Sequence, residues 1–422
     1  VPKGLSETTP PVERAVLVLV NEDPAEDDYV EEELSALCEA AGIDPVGSIR
    51  QRVDHPSTAT YIGKGKVDEL HAAVKDERAD LALFDCELSA VQQRNLADAL
   101  KLKVVDRTQL ILDIFAQRAH TREGILQVEL AQYTYLLPKI TSVYTQFERQ
   151  RGGIGMRGPG EQKLEADRRR IRDRIAQLKR ELEDVRAQRS RQRAGRRKAP
   201  FPFACLVGYT SAGKSTLMNS LSGSEVFADP MLFATLDPTT RRIELNEGYS
   251  IYLTDTVGFV RNLPTNLVAA FRATLEEVTE ADFLIHLVDM SHPDWQIQRD
   301  AVIDTLQEIG AGDKPIVTAY NKIDLVTDGP ALREAVATTD RAVAISARTR
   351  AGFEDLQDVL LRTIRSMLTP VEAVIPYDKS GLIDECYRFG RVISLEHGED
   401  GIHVRAELVS EMADRLLASL KP

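Results

Sequence analysis

Gly208-Tyr-Thr-Ser-Ala-Gly-Lys-Ser215 fits G-x-x-x-x-G-K-[ST], and it stands between the apolar run from Phe201 to Val207 and a helical pattern. That context is a strand, a tight loop and a helix. Glycines at 208 and 213 let the backbone close around a β-phosphate, so the N–H groups of Gly208, Tyr209, Thr210, Ser211, Ala212 and Gly213, and onward to Thr216, are candidate phosphate donors. Lys214 is expected to neutralise β/γ charge and act in catalysis, while the Ser215 hydroxyl is placed to ligate Mg²⁺.

Downstream, Asn321-Lys-Ile-Asp324 ends an apolar strand. A carboxylate at Asp324 can accept two hydrogen bonds from guanine N1 and N2, which adenine cannot supply. Leaving that carboxylate unpaired beside the wrong base would cost about 1 to 3 kcal/mol. Asn321 and Lys322 are expected to tie the base loop to the phosphate loop. After the next strand, Ser346-Ala-Arg348 stands where a backbone N–H would read guanine O6. Asp255-Thr-Val-Gly258 ends another strand, with Asp255 a candidate Mg²⁺ holder and the Gly258 N–H a candidate sensor of the γ-phosphate. Between these motifs lies Phe233-Ala-Thr-Leu-Asp-Pro-Thr-Thr240, in which Thr235 is the first choice for a hydroxyl that reaches Mg²⁺ when GTP binds. Thr239 and Thr240 are alternatives, and Phe233 is counted with the nucleotide contacts. The four motifs in this order define a regulatory GTPase domain binding GTP and GDP. Position 259 is Phe, which offers no hydrogen bond to an attacking water, so unaided hydrolysis is expected to be slow.

Around this site the pattern of strands near Phe203 to Val207, Ile251 to Asp255, Phe283 to Asp289, Pro315 to Asn321 and Ala342 to Ile345 predicts a doubly wound α/β sheet over residues 199–369. Residues 370–422 read as a small α+β domain: a strand, a helix, two short strands and a final helix. Before the GTPase domain, Leu126, Leu130, Tyr133 and Leu137 keep helical spacing, with Pro138 expected to kink or interrupt the helix. A glycine-rich stretch at 152–160 follows. Ile171, Ile175, Leu178, Leu182 and Val185 then form an apolar seam. Residues 123–198 are therefore an antiparallel helical hairpin with a loop at its tip. Residues 1–122 alternate strands and helices and predict a separate α/β domain. Within it Gly63-Lys-Gly-Lys66 opens a helix, either as a plain turn or as a phosphate contact.

Composition narrows the function. The chain has 422 residues and a formal net charge of -13, which argues against a general nucleic-acid binder. Yet between Arg149 and Lys198 stand 18 Lys plus Arg against 7 Asp plus Glu. One basic segment is carried on an acidic body, either as a solvated helix or as a surface for an anionic partner. Four cysteines, at 38, 86, 205 and 386, form no Cys-x-x-Cys pair, so neither a disulfide framework nor a zinc cage is expected. No apolar run reaches the ~20 residues that a bilayer demands, and no basic-then-apolar signal is read. A cytoplasmic soluble protein without a membrane span is expected.

With these residues in hand the chain resembles the HflX family of ribosome-associated GTPases over residues 10 to 422. The strings that carry the resemblance are Ala59-Thr-Tyr-Ile-Gly-Lys-Gly-Lys66, Leu88-Ser-Ala-Val-Gln-Gln-Arg-Asn95, Val105-Asp-Arg-Thr108, Gln127-Val-Glu-Leu-Ala-Gln132, Gly158-Pro-Gly-Glu161 and Leu232-Phe-Ala-Thr-Leu-Asp-Pro-Thr-Thr240. The resemblance implies binding to the large ribosomal subunit, a hairpin set against its rRNA, and splitting of stalled ribosomes in the GTP form. It makes Arg149, Arg151, Arg157, Lys163, Arg168, Arg169 and Arg172 the candidate rRNA contacts, on a chain expected to act as a monomer. Some family members also bind ATP through the N-terminal domain, which would fall on Gly63 to Lys66. Where the family's phosphate loop commonly has Asn able to coordinate K⁺, this chain has Ser211, which argues against potassium stimulation. The family's Gly-Pro-Gly-Glu-Thr-Gln-Leu-Glu reads here as Gly158-Pro-Gly-Glu-Gln-Lys-Leu-Glu165, and Arg348 replaces a frequent Lys. Two other functions stay open: an RNA-binding assembly or scaffold GTPase, and an ATP-dependent RNA remodeller run from the first domain.

Overall fold

The computed structural model describes residues 12–21, 27–150, 159–196, 201–223, 232–233, 237–261, 272–326 and 329–420. The described residues fall into two units: the chain up to Leu182 together with Leu232 and Phe233, and the remainder.

The first unit is built on a four-stranded parallel sheet of order β2-β1-β3-β4, from β1 (Arg14–Asn21), β2 (Asp44–Arg52), β3 (Leu81–Phe84) and β4 (Lys103–Asp106). The inner strands β1 and β3 are almost wholly apolar because helices cover both faces of a parallel sheet. Strand β2 was not expected from the sequence; Asp44-Pro-Val-Gly-Ser-Ile-Arg-Gln-Arg52 is polar, as suits a sheet edge that buries only Ile49 fully. Helices α1 (Asp27–Ala41), α2 (Lys64–Asp76), α3 (Ala90–Leu100) and α4 (Arg107–Arg118) connect or follow the strands. Helix α3 starts at a capping box in which Ser89 accepts from the Gln92 N–H and the Gln92 side chain accepts from the Ser89 N–H. Helix α4 starts on Asp106, whose carboxylate accepts from the Gln109 N–H.

Helix α5 (Arg122–Gln150) runs on through Pro138 without interruption. Residues on either side of the proline hold that turn laterally. Tyr135 donates its hydroxyl to Asp106 Oδ1 at 2.6 Å, and Lys139 Nζ donates to Asp106 Oδ2 at 2.7 Å and to Gln93 Oε1 at 2.9 Å. Asp106 itself is fully buried and also accepts from the Leu88 N–H. Beside it Arg107, with its side chain 5% exposed, pairs with Glu33 at 2.5 Å and Asp85 at 3.2 Å, so each buried carboxylate has a cationic partner. Helix α6 (Pro159–Arg196) returns alongside α5, and Arg174 makes a two-pronged bond to Glu129 at 2.9 and 2.8 Å. Leu178 and Leu182 of the expected seam are buried, and Ile171, Ile175 and Val185 are half-buried.

The second unit contains a six-stranded sheet of order β10-β9-β8-β5-β7-β6. Its strands are β5 (Phe203–Gly208), β6 (Thr239–Glu244), β7 (Ser250–Asp255), β8 (Phe283–Asp289), β9 (Ile316–Asn321) and β10 (Ala342–Ala344). All pairs are parallel except β6 with β7. Strand β6 was not expected from the sequence; it is an antiparallel edge hairpin strand, Thr-Thr-Arg-Arg-Ile-Glu, in which only Ile243 is fully buried. The chain leaves β5 toward β7 on one side and returns to β8 on the other, which creates a crevice at the C-terminal end of β5. Helices α7 (Lys214–Ser222), α8 (Arg272–Glu280), α9 (Trp295–Glu308), α10 (Gly329–Thr338) and α11 (Phe353–Met367) accompany this sheet. A three-stranded antiparallel sheet of order β11-β13-β12 follows, from β11 (Leu368–Ile375), β12 (Gly390–Gly398) and β13 (Gly401–Val409). With α12 (Gly381–Phe389) and α13 (Ser410–Leu420) it encloses a core around Val371, Ile375, Val404, Leu408 and Leu416.

Candidate guanine-nucleotide site

The predicted motifs at 208–215, 255–258, 321–324 and 346–348 lie at the C-terminal ends of β5, β7 and β9 or just after β10, around the crevice beside β5. Gly213 adopts φ +97°, and a Cβ there would lie 2.4 Å from Asn321 Nδ2. Only glycine permits that approach. Asn321 is 1% exposed; its Nδ2 donates to the Ala212 carbonyl at 2.8 Å and its Oδ1 accepts from the Ala347 N–H at 2.9 Å. One side chain thus joins the phosphate loop to the base loop. Lys322 does not share that work: its Nζ pairs with Asp289 Oδ2 at 2.5 Å, at the end of β8.

Lys214 opens α7 and is buried, with Nζ donating to the carbonyls of Gly208 at 3.0 Å and Tyr209 at 2.8 Å. Burial lowers its ammonium pKa to about 8, opposed by the nearby Asp255. A phosphate arriving there replaces two neutral acceptors with a full negative charge. Ser215 Oγ donates to Asp255 Oδ2 at 2.7 Å, so a hydroxyl and a carboxylate already meet where the motifs place them, and the oxygen pair fits a hard dication such as Mg²⁺. Gly258 faces Lys214, and a Cβ on it would lie 3.1 Å from Nζ and 2.8 Å from the Thr210 methyl. A side chain at 258 would therefore crowd the lysine that faces the phosphates.

Phe259 is stitched to the same loop, its carbonyl accepting from the Thr210 N–H at 2.8 Å and its N–H donating to the Gly208 carbonyl at 3.1 Å. Its ring is buried. Tyr209 reinforces the join by accepting from the Arg261 N–H at 2.8 Å. Ser211 sits in the left-handed region at φ +60°, and Thr216 follows Ser215 in the first turn of α7.

At the base end, Asp324 Oδ1 accepts from Ser346 Oγ at 2.6 Å and Oδ2 from Arg348 Nη2 at 2.5 Å. The Ser346 hydroxyl bond holds the Asp324 carboxyl below its usual range, with Arg348 adding to the effect. Ala347 and Ser346 are buried, and Ser220 of α7 donates to the Ala347 carbonyl at 2.6 Å. Asp289 and Ser220 were missed by the sequence reading. Asp289 carried a usable signal, because it ends a parallel strand on the same edge as Asp255 and Asn321.

Thr235 lies outside the described residues. Of its alternatives, Thr239 is paired across the hairpin with Asp255, while Thr240 Oγ1 is bonded to Thr254 Oγ1 at 2.7 Å. Phe233 packs edge-on against Phe115, ring centroids 4.6 Å apart, within the first unit.

On the basic hairpin Arg169 and Arg172 are exposed, as are Arg170, Lys179 and Arg180. Arg168 is half-buried and pairs with Glu165 at 3.5 Å. Arg151, Arg157 and the glycine-rich stretch up to residue 158 lie outside the described residues, whereas Pro159 and Gly160, read with that loop, open α6; for Arg149 and Lys163 only the helical backbone is described. At Gly63 the structure has a helix start without a side-chain cap, and Lys66 pairs with Glu69 at 2.8 Å. Among the described residues no cluster of His, Cys, Asp and Glu could hold a metal ion, and no helix is long and apolar enough to cross a membrane.

The chain matches three family descriptions: a GTP-binding GTPase N-terminal region over residues 28–116, a GTP-binding GTPase middle region over 118–196, and a 50S ribosome-binding GTPase over 203–322. It is 44% identical to the GTPase HflX of Caldanaerobacter subterraneus subsp. tengcongensis over 96% of this chain and 93% of that protein. It is 41% identical to the GTPase HflX of Escherichia coli strain K12 over 94% of each. The crystal structure of a GTP-binding protein from Sulfolobus solfataricus in complex with GDP aligns over 84% of this chain and 99% of its own, at 26% identity and a TM-score of 0.45.

Proposed function

The chain belongs to the HflX family of GTPases, and from that membership we propose that it docks on the large ribosomal subunit, sets its basic hairpin against rRNA and splits stalled ribosomes while GTP is bound. The observation that carries this reading is a preassembled guanine-nucleotide site in the same chain as a helix that turns Arg169, Arg170, Arg172, Lys179 and Arg180 outward. Arginine on an exposed helix face suits phosphate oxygens, and counterions released from rRNA would supply much of the affinity.

In this reading four modules divide the work: residues 1–122, the hairpin 123–198 with its loop at 152–160, the GTPase domain 199–369, and residues 370–422. Guanine is read by Asp324 once Arg348 gives up its bond to it, with a backbone N–H of the 346–348 stretch on guanine O6. Phosphates are held by the N–H groups of 208–216 and by Lys214, with the Gly258 N–H on the terminal one. Mg²⁺ held by Ser215 and Asp255, with Thr235 as the further ligand, would neutralise charge that develops on the transferring phosphoryl group. The chain acts in the cytoplasm and as a monomer.

Because Phe259 supplies no polar atom from its side chain to the attacking water, turnover is slow until the ribosome orders the site. GTPase rates with and without large subunits, across a salt series, test the proposal. Large subunits should accelerate turnover, and deletion of residues 149–160 should abolish the acceleration while leaving the basal rate. An unchanged rate at low salt overturns ribosomal activation. Tight binding without subunit separation in sedimentation would favour an assembly or scaffold role.

A further inference from the structure

The turn between β6 and β7 is gripped by residues far away in the chain. Tyr249, 8% exposed, has the Arg391 guanidinium 5.2 Å and the Arg365 guanidinium 5.6 Å from its ring centre, and its hydroxyl donates to Glu407. Two residues earlier Glu247 binds both cations, Arg391 at 3.2 Å and Arg365 through Nη2. Arg365 lies in the last turn of α11, Arg391 on β12 and Glu407 on β13, so the three-stranded sheet holds the turn directly.

Glu247 does this at φ +58°, a left-handed conformation that glycine adopts more cheaply than glutamate. The side chain is kept in a place where the backbone alone would favour its absence. The other end of the same hairpin carries the Thr239–Asp255 pair, and Asp255 bonds Ser215 of α7. Six residue pairs of strand separate the two ends, a rigid span of about 20 Å.

We propose that the cluster around Tyr249 is the coupling point through which the three-stranded sheet positions the β6–β7 hairpin for GTP turnover, with Glu247, Tyr249 and Arg391 as positioning residues. The inference rests on GTP hydrolysis by this chain and not on any ribosomal role. Both ends belong to one antiparallel ladder, so a shift at the turn is transmitted to Asp255 instead of being absorbed in a loop. Ser215 is the phosphate-loop residue that the hairpin reaches, through Asp255; the Asn321 bridge and the Lys214 carbonyl bonds do not pass through it and stay as they are.

Glu247→Gly is the decisive variant, since it relieves the left-handed strain while removing both ion pairs. In the full-length protein it is expected to lower single-turnover GTP hydrolysis about fivefold, with GDP affinity unchanged and the melting temperature equal or higher. A merely structural contact would move the melting temperature and leave the rate. Arg391→Ala should lower the rate similarly, Arg391→Lys should restore part of it, and combining Arg391→Ala with Glu247→Gly should give no further loss. Rates unchanged in both single variants overturn the proposal. So does a rate loss matched by an equal loss of GDP-binding sites, because that reports unfolded protein.

Discussion

The nucleotide site and the basic hairpin are held together in opposite ways. Around the phosphate loop the polar side chains are tied inward: Asn321 bridges two loops, Lys214 is buried against two carbonyls, and Ser215 meets Asp255. On the outer face of α6 the cations reach at most to a neighbouring carboxylate, as Arg170 does to Asp167 at 3.4 Å and Arg172 to Glu165 at 3.9 Å. Exposed pairs of this kind contribute little to stability. A preorganised pocket fixes what ligand it accepts, whereas a row of outward arginines fixes only the sign of its partner.

The contrast is broken most sharply at Lys214. Lys214→Ala is expected to reduce GTP turnover by about a hundredfold or more with or without ribosomal subunits. The pair Arg169→Ala and Arg172→Ala should leave the basal rate intact and weaken only what large subunits add, measured in the same assay. Equal losses in both would merge the two regions into one site. Asp324→Asn comes next, with GTP affinity falling by about ten- to a hundredfold while xanthosine triphosphate gains, as read by competitive nucleotide binding. Retained guanine preference would remove Asp324 from base recognition.

The smallest effect sharpens the comparison through pH. His286 on β8 is 1% exposed and both its ring nitrogens lack a partner. Burial, with Arg299 and Lys214 adding to it, lowers its pKa to about 3. Below pH 6.5 the unfolded chain takes a proton that the folded chain refuses, so stability is lost as pH falls. Denaturant unfolding should show about 1.4 kcal/mol less stability at pH 5.5 than at pH 8 from this group, and His286→Leu should flatten the slope.

Motifs at 208–215, 255–258, 321–324 and 346–348 were legible because each is a short string at a strand end, and geometry there demands particular residue types. Clusters assembled from distant positions were not. Asp106, Tyr135, Lys139 and Gln93 meet across three separate elements, and Tyr249 meets Arg365, Arg391 and Glu407 only after a second sheet has formed. Pro138 was expected to kink or interrupt the helix, yet α5 continues through it, and the bonds that flank the proline, from Tyr135 and Lys139 to Asp106, run to a different element. Lys322 was given to the phosphate loop because it adjoins Asn321 in sequence, yet a change of one residue sends its side chain toward Asp289.

The saturated carboxylate at Asp106 has a mechanical consequence. From Lys139 to the last residue of α5 is eleven residues, a cantilever of about 17 Å, bolted at its root by an ammonium and a phenol. Such a beam does not swivel at its mounting. Load carried along α5 meets the four-stranded sheet at Asp106, where the strand that ends in that aspartate takes it up.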